Sequence, residues 1–253
     1  MATENALRHA IANGELVLHY QPIVRLDGRE PISMEALVRW QRPGHGLIAP
    51  DAFIPIAEES NLITALDCWV VQEACREAAS WSDQSLSVSV NLSARDLLRD
   101  DIVNAMSVAL QKTGLAPRRL VMELTETTLM SDSSTIVNNI TRIHALGVQL
   151  AIDDFGTGYS SLSYLRRLPA RTVKIDRSFV SIMDSDAAAR AIVKAVVDMA
   201  HALDLDIVAE GVEREAQAEL LLSLGCDAAQ GYLFARPQPP GDWLNVPSQR
   251  YTS

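Results

Sequence analysis

The sequence predicts an α/β protein, and within that class a (β/α) barrel, on three observations. Long helical patterns alternate with short β-rich runs, several helices stop at a glycine just ahead of a strand-like run, and nearly every strand candidate turns polar at its end. The opening stretch is amphipathic, with Ala6, Leu7, Ala10 and Ile11 at helical spacing. It leads into LVLHYQPIVRL and ISMEALVRW, two β-type runs on either side of DGREP, where Asp27-Gly28 predicts a hairpin turn. In MEALVRW the two-residue period points Glu35, Leu37 and Arg39 one way and Ala36, Val38 and Trp40 the other. The runs LITALDCWVVQEACREAASW and ARAIVKAVVDMAHAL read as long helices. Gly114, Gly147 and Gly225 fit the left-handed position that closes a helix, each shortly before a strand-like run. Helix, glycine, strand is the grammar of βαβ units, which alone permits a closed barrel or an open doubly wound sheet.

The polar residues favour the barrel. Glu35, Asn91, Glu123, Asp153 with Asp154, Lys174, Glu210 and Gln230 each fall at the end of an otherwise apolar run. A closed barrel brings all such ends to one mouth, where barrel enzymes keep their chemistry, whereas an open sheet spreads them along an edge. The alternation also sets Val121, Glu123 and Thr125 on one face, and Thr172, Lys174 and Asp176 on another.

No linker or low-complexity run divides the 253 residues, so residues 1–240 are read as one domain and 241–253 as a flexible tail. The formal net charge of -10 argues against polymeric nucleic acid or an anionic membrane as partner, since both need Lys and Arg to displace counterions. Cys68, Cys75 and Cys226 have no CxxC spacing and read as structural thiols, the first two on one helical face. The N-terminus has no apolar signal core and no stretch approaches a membrane span, which gives a cytoplasmic expectation.

Glu35, Glu123, Asp153 and Asp154 at one mouth would repel, by about 4 kcal/mol for each pair some 4 Å apart at an effective dielectric near 20. Such a cluster demands cations. Oxygen donors, with the Asn91 amide among them, select Mg²⁺ or Mn²⁺ over zinc, and the five histidines show no zinc-binding spacing. An adjacent Asp-Asp pair suits a two-metal site in which one carboxylate bridges, the arrangement that cuts phosphodiesters. Lys174 fits as a point charge beside it, with a salt bridge to Asp176 or a neighbour as the alternative reading, and Glu210 fits as the general base. Gly156 and Gly158 after the acidic pair allow a sharply turning loop.

The motifs MEALVRW, NLS, ELTE, DDFGTGYSSL, KIDRSFV, AEGVE and QGYLF occur in this order between about Leu16 and Pro237, and the chain that carries them resembles the EAL domain family of cyclic di-GMP phosphodiesterases. The resemblance implies a TIM-like (β/α)8 barrel with one antiparallel strand, and hydrolysis of cyclic di-GMP to linear pGpG. It implies that Glu35, Asn91, Glu123 and Asp153 hold one metal and that Asp153 and Asp154 reach a second, with Ca²⁺ inhibitory. Lys174 and Glu210 would position and deprotonate the attacking water, and Glu213 and Gln230 would support the second metal's water shell and the substrate. Gln21 and Arg39 would meet guanine and phosphate, with Leu37 also in the substrate site and Asp176 in a supporting position. Glu126 would anchor the DFGTG loop, which the resemblance links to a homodimer interface. Two rivals remain: a receptor that binds the dinucleotide without cutting it, and a carboxylate-pair glycosidase, which leaves Lys174, Asn91 and the Asp-Asp doublet unexplained.

Overall fold

The computed structural model of the protein describes residues 2–129, 133–157 and 168–241. A first helix, Ala2–Asn13, precedes nine strands. They are β1 (Leu16–Arg25), β2 (Pro31–Arg42), β3 (Gly46–Ile48), β4 (Ser87–Asn91), β5 (Leu120–Thr125), β6 (Gln149–Phe155), β7 (Thr172–Ile175), β8 (Asp206–Ala209) and β9 (Ala228–Ala229). Neighbours run β1-β9-β8-β7-β6-β5-β4-β2, and β1 pairs with β2 to close the ring, leaving β3 as an extra strand on β2. Eight strands therefore make the barrel, and β1, antiparallel to both β2 and β9, is the one that runs against the rest. This is the TIM-like (β/α)8 architecture with the predicted hairpin at its start, Gln21 opposite Glu35 across β1 and β2.

Alternation partitions the strands. Val88 and Val90, Met122 and Leu124, and Val173 and Ile175 belong to the main hydrophobic core, so one face of the sheet packs on the helices and the other lines the barrel. Burying that apolar face drives closure, and the helices complete it with their own apolar stripes. The helix Ala187–Ala202 contributes Val193, Val197 and Ala200, and begins where the Asp186 side chain accepts from the amides of Ala188 and Ala189. The helix Asp101–Thr113 ends at Gly114 with φ 70°, and Gly147 and Gly225 are likewise left-handed at 84° and 89°.

Two expectations change. Glu35 is not at a strand end, because β2 continues to Arg42 to carry β3; its parallel pairing with β4 spans only Ser33 to Ala36. Asp176 does not share the face of Lys174, since β7 stops at Ile175 and Asp176 caps the helix Arg177–Val180 by accepting from the Ser178 amide at 3.0 Å. The predicted tail, apart from Gly241, and Gly158 lie outside the described residues. Cys75 and Cys226 are buried and Cys68 is half-buried, all as free thiols. Among the described residues, no helix is long and apolar enough to cross a membrane.

Candidate active site

The barrel mouth gathers the predicted polar residues around Lys174. Its ammonium, 1% exposed, lies 2.7 Å from Glu123, 2.6 Å from Glu210, 3.5 Å from Asp153 and 4.0 Å from Glu35. No bridge to Asp176 forms; the neighbours that Lys174 bridges are the mouth carboxylates. Each side chain comes from a different strand or its end: Glu35 from β2, Glu123 from β5, Asp153 from β6, Lys174 from β7, and Glu210 just after β8. Convergence is thus a consequence of barrel closure rather than of local sequence.

A second set of hydrogen bonds holds the acids in place. Asn91 donates to Glu35 Oε1 at 2.8 Å, and Gln230 donates to Glu35 Oε2 at 2.5 Å. The Gln230 amide also reaches Gln21 Oε1 at 3.0 Å, and Gln21 donates to the carbonyl of Ala235 at 2.9 Å. Gln21 and Gln230 are therefore tied to Glu35 and to the chain beyond β9.

Strict alternation would point Asp153 and Asp154 to opposite faces. The pairing of β6 with β7 shifts between Ile152 and Phe155, and Asp154 has φ 53°, a left-handed conformation uncommon outside glycine. That bulge turns both carboxyls to the mouth. Asp153, Asp154 and Glu210 each present an oxygen within 4.8 Å of the others, a set able to hold a metal ion. The strain of a left-handed aspartate, of order 1–3 kcal/mol, is typical of functional sites.

The electrostatics point the same way. Burial alone would lower the Lys174 ammonium, but Glu123, Glu210, Glu35 and Asp153 hold it well above the ordinary lysine range. Burial pushes the Glu210 carboxyl up to about 7, against the pull of Lys174. Burial followed by the charge of Asp153 and then Asp176 raises Asp154 as well. Five carboxyl groups thus face one ammonium, and such an excess of acid is relieved by protons or by a hard cation.

A cleft of ≈430 Å³ opens above this layer, with Gln21, Glu35, Leu37, Asp153, Glu210 and Glu213 in its wall. Arg39, half-buried beyond it, turns its guanidinium to the carbonyl of Val38 at 2.8 Å. Glu126 accepts from the amide of Gly156 at 3.1 Å and so holds the start of the loop after the Asp-Asp pair. Arg177, Ser178, Ser181 and Tyr232 also line the cleft, and sequence reasoning named none of them. Arg177 and Tyr232 stood inside the quoted motifs KIDRSFV and QGYLF, which was the signal present. Two glycines let the β8 and β9 ends close in: a Cβ on Gly211 would sit 2.6 Å from Arg177 Cβ, and one on Gly231 would sit 2.0 Å from the Val212 carbonyl oxygen.

Fold and site together define a (β/α)8 barrel with an oxygen-rich, cation-ready mouth. The family profile described as EAL domain matches residues 4–237, and the chain belongs to the EAL domain family. It is 46% identical over 236 residues to the bifunctional diguanylate cyclase/cyclic di-GMP phosphodiesterase MucR of Pseudomonas aeruginosa, covering 92% of this chain and 34% of that protein. It is 46% identical over 241 residues to the cyclic di-GMP phosphodiesterase NbdA of the same organism, covering 93% of this chain and 30% of that protein. The chain thus spans about a third of the length of these relatives. The solved structure of the PaMucR phosphodiesterase in complex with c-di-GMP superposes with a TM-score of 0.91 at 44% identity, over 96% of this chain and all of that one.

Proposed function

We propose that this chain is a cyclic di-GMP phosphodiesterase that opens the cyclic dinucleotide to linear pGpG. The observation that carries the reading is the Asp153, Asp154 and Glu210 oxygen cluster packed against the buried Lys174 at the mouth of an EAL barrel. The relatives named as cyclic di-GMP phosphodiesterases support the substrate.

Glu35, Asn91, Glu123, Asp153 and Asp154, with Glu210 beside them, would hold Mg²⁺ or Mn²⁺ in a two-ion site, because every donor is an oxygen and none is a thiolate or imidazole. Bound there, such ions supply Lewis acidity that makes water a better nucleophile and stabilises charge on the leaving oxygen. Glu210, pushed up to about 7, is suited to take the proton of the attacking water near neutral pH. Lys174, charged and fixed between Glu123 and Glu210, orients that base and offsets negative charge as the water oxygen adds to phosphorus. The bond from phosphorus to the 3′ oxygen breaks, the leaving oxygen takes up a proton from solvent, and the product carries a 5′-phosphate and a 3′-hydroxyl. Leu37, Gln21, Gln230, Glu213, Arg177 and Tyr232 are assigned to holding the dinucleotide in the cleft, Arg39 to meeting its phosphate from beyond the cleft wall, and Asp176 to fixing Arg177 by capping its helix. A homodimer belongs to the same reading, with Glu126 holding Gly156 at the start of the loop.

Chromatography of cyclic di-GMP incubated with the protein and Mg²⁺, Mn²⁺ or Ca²⁺ in parallel tests this. Turnover to pGpG with the first two ions and little with Ca²⁺ is expected. Tight binding of cyclic di-GMP without turnover in either Mg²⁺ or Mn²⁺ would make the protein a receptor instead.

A further inference from the structure

The barrel lumen changes character two residues below the mouth. Moving toward the barrel floor, the same faces present Val121, Val208 and Ile23 beyond Glu123, Glu210 and Gln21, but only Ser33, Ser89, Ala151, Thr172 and Ala228 beyond Glu35, Asn91, Asp153, Lys174 and Gln230. Side chains this small do not fill the layer that bulky branched residues usually fill in such barrels. A cavity of ≈270 Å³ results, opening at the end opposite the mouth and reaching Lys174 and Glu123 from below. One wall is apolar: Ile23, Val208 and Ala228 form a small cluster with Ile32, separate from the main core. The other carries hydroxyls of Ser33, Ser87, Ser89 and Thr172. Ser89 Oγ, on a residue 1% exposed, has no hydrogen-bond partner among the described residues, which at a buried hydroxyl costs about 1–3 kcal/mol unless something in the cavity meets it.

The charges at the rim are already matched. Arg171 lies 3.3 Å from Asp206, Arg25 lies 3.5 Å from Asp27, and Asp227 accepts from the Ile207 amide and contacts His201. No net charge is offered to an ion entering there, and the volume is below the roughly 300–1,000 Å³ of pockets for drug-sized ligands.

We propose that this chamber is a second ligand site, entered from the barrel floor, for a small uncharged molecule with an apolar body and a hydroxyl or amide group. Its occupant hydrogen-bonds Ser89 and bears on the underside of Lys174 and Glu123, so that occupancy alters activity without touching the substrate cleft. The inference rests on the catalytic reading of Lys174 and Glu123.

The test uses the near-isosteric Ser89→Cys protein and methyl methanethiosulfonate, a small uncharged reagent that adds a methylthio group to a thiol. Ala151→Cys is the second variant should the first fail to fold. The unsubstituted protein, with its own three cysteines, is the control, and mass spectrometry of peptides locates the label. Expected results are labelling of the introduced thiol in the native enzyme, undiminished by saturating cyclic di-GMP. A change of fivefold or more in kcat should follow, reversed by dithiothreitol. A thiol that stays unmodified in the folded protein, labelling blocked by cyclic di-GMP, or labelling without a change in kcat or KM would each overturn the proposal. If the unlabelled protein shows no turnover, the phosphodiesterase reading fails separately. The affinity for cyclic di-GMP before and after labelling then decides the chamber.

Discussion

The two ends of the barrel use the same strands and the same side-chain parity for opposite purposes. At the mouth, Glu35, Glu123, Asp153 and Lys174 crowd within hydrogen-bonding and ion-pair distance. Two residues below, serine, valine, alanine and threonine leave space, and at the floor the charges sit in exposed pairs such as Arg171 with Asp206. Charge is worth little at the wet floor and much at the buried mouth, because low dielectric and burial strengthen every interaction and every unpaired group. The same substitution should therefore have very different consequences at the two ends.

The largest effect is expected at Glu210. Glu210→Gln keeps the shape of the site but removes the base, so kcat should fall by about 10²–10⁴ with cyclic di-GMP affinity retained, as measured by steady-state assay and titration calorimetry. An unchanged kcat would assign the base elsewhere. Next is Lys174→Met, which leaves Glu123 and Glu210 buried without their cation. Breaking such a set costs on the order of 3–5 kcal/mol, and thermal melts should show the loss in chelator and partial recovery in Mg²⁺.

The pH dependence follows from the raised Glu210 carboxyl. That raised value belongs to the metal-free protein; bound cations beside Glu210 lower it, so in saturating Mg²⁺ kcat/KM should rise with pH through a limb below 7. The stability contribution runs the other way. With the folded value above the unfolded 4.5, the neutral acid is favoured in the metal-free fold; that stability is full below 4.5 and lost as pH rises through about 7. Metal-free melting temperatures should accordingly fall across that window, and added Mg²⁺ should flatten the trend. A smaller effect is expected at Gly211→Ala, whose left-handed φ of 67° and contact with Arg177 should cost about 1–3 kcal/mol in denaturant unfolding. The smallest is at the floor, where Arg171→Ala removes an exposed pair and should change stability by less than about 1 kcal/mol and leave kcat alone. A large effect there would erase the contrast between the two ends.

Much of this was legible in the sequence, because it depends on local signals. Left-handed glycines after helices, apolar strands with polar ends, and the hairpin at Asp27-Gly28 are short-range features, and they favoured the barrel, while its one antiparallel strand came from the family resemblance. What was not legible depends on tertiary context. Alternation alone sends Asp154 away from Asp153, and only the pairing of β6 with β7 reveals the bulge that brings both to the mouth. The extension of β2 beyond Glu35 depends on its pairing with β3, and Asp176 leaves the strand because the following residues start a helix that it caps. The choice of Glu123 and Glu210 over Asp176 as partners of Lys174 follows from barrel closure, which no window of sequence contains. The small lumen layer was written in Ser33, Ser89 and Ala151, but small residues in strands give no signal until their neighbours around the ring are known.

The central claim is that the mouth carboxylates collect a hard divalent cation. Titrating Mn²⁺ into nucleotide-free protein, followed by electron paramagnetic resonance of the free ion, tests it directly, with Asp153→Asn as the comparison. Saturable Mn²⁺ binding by the unsubstituted protein, weakened at least tenfold in Asp153→Asn, is the predicted result. No binding at millimolar Mn²⁺, or equal binding by both proteins, would contradict the account.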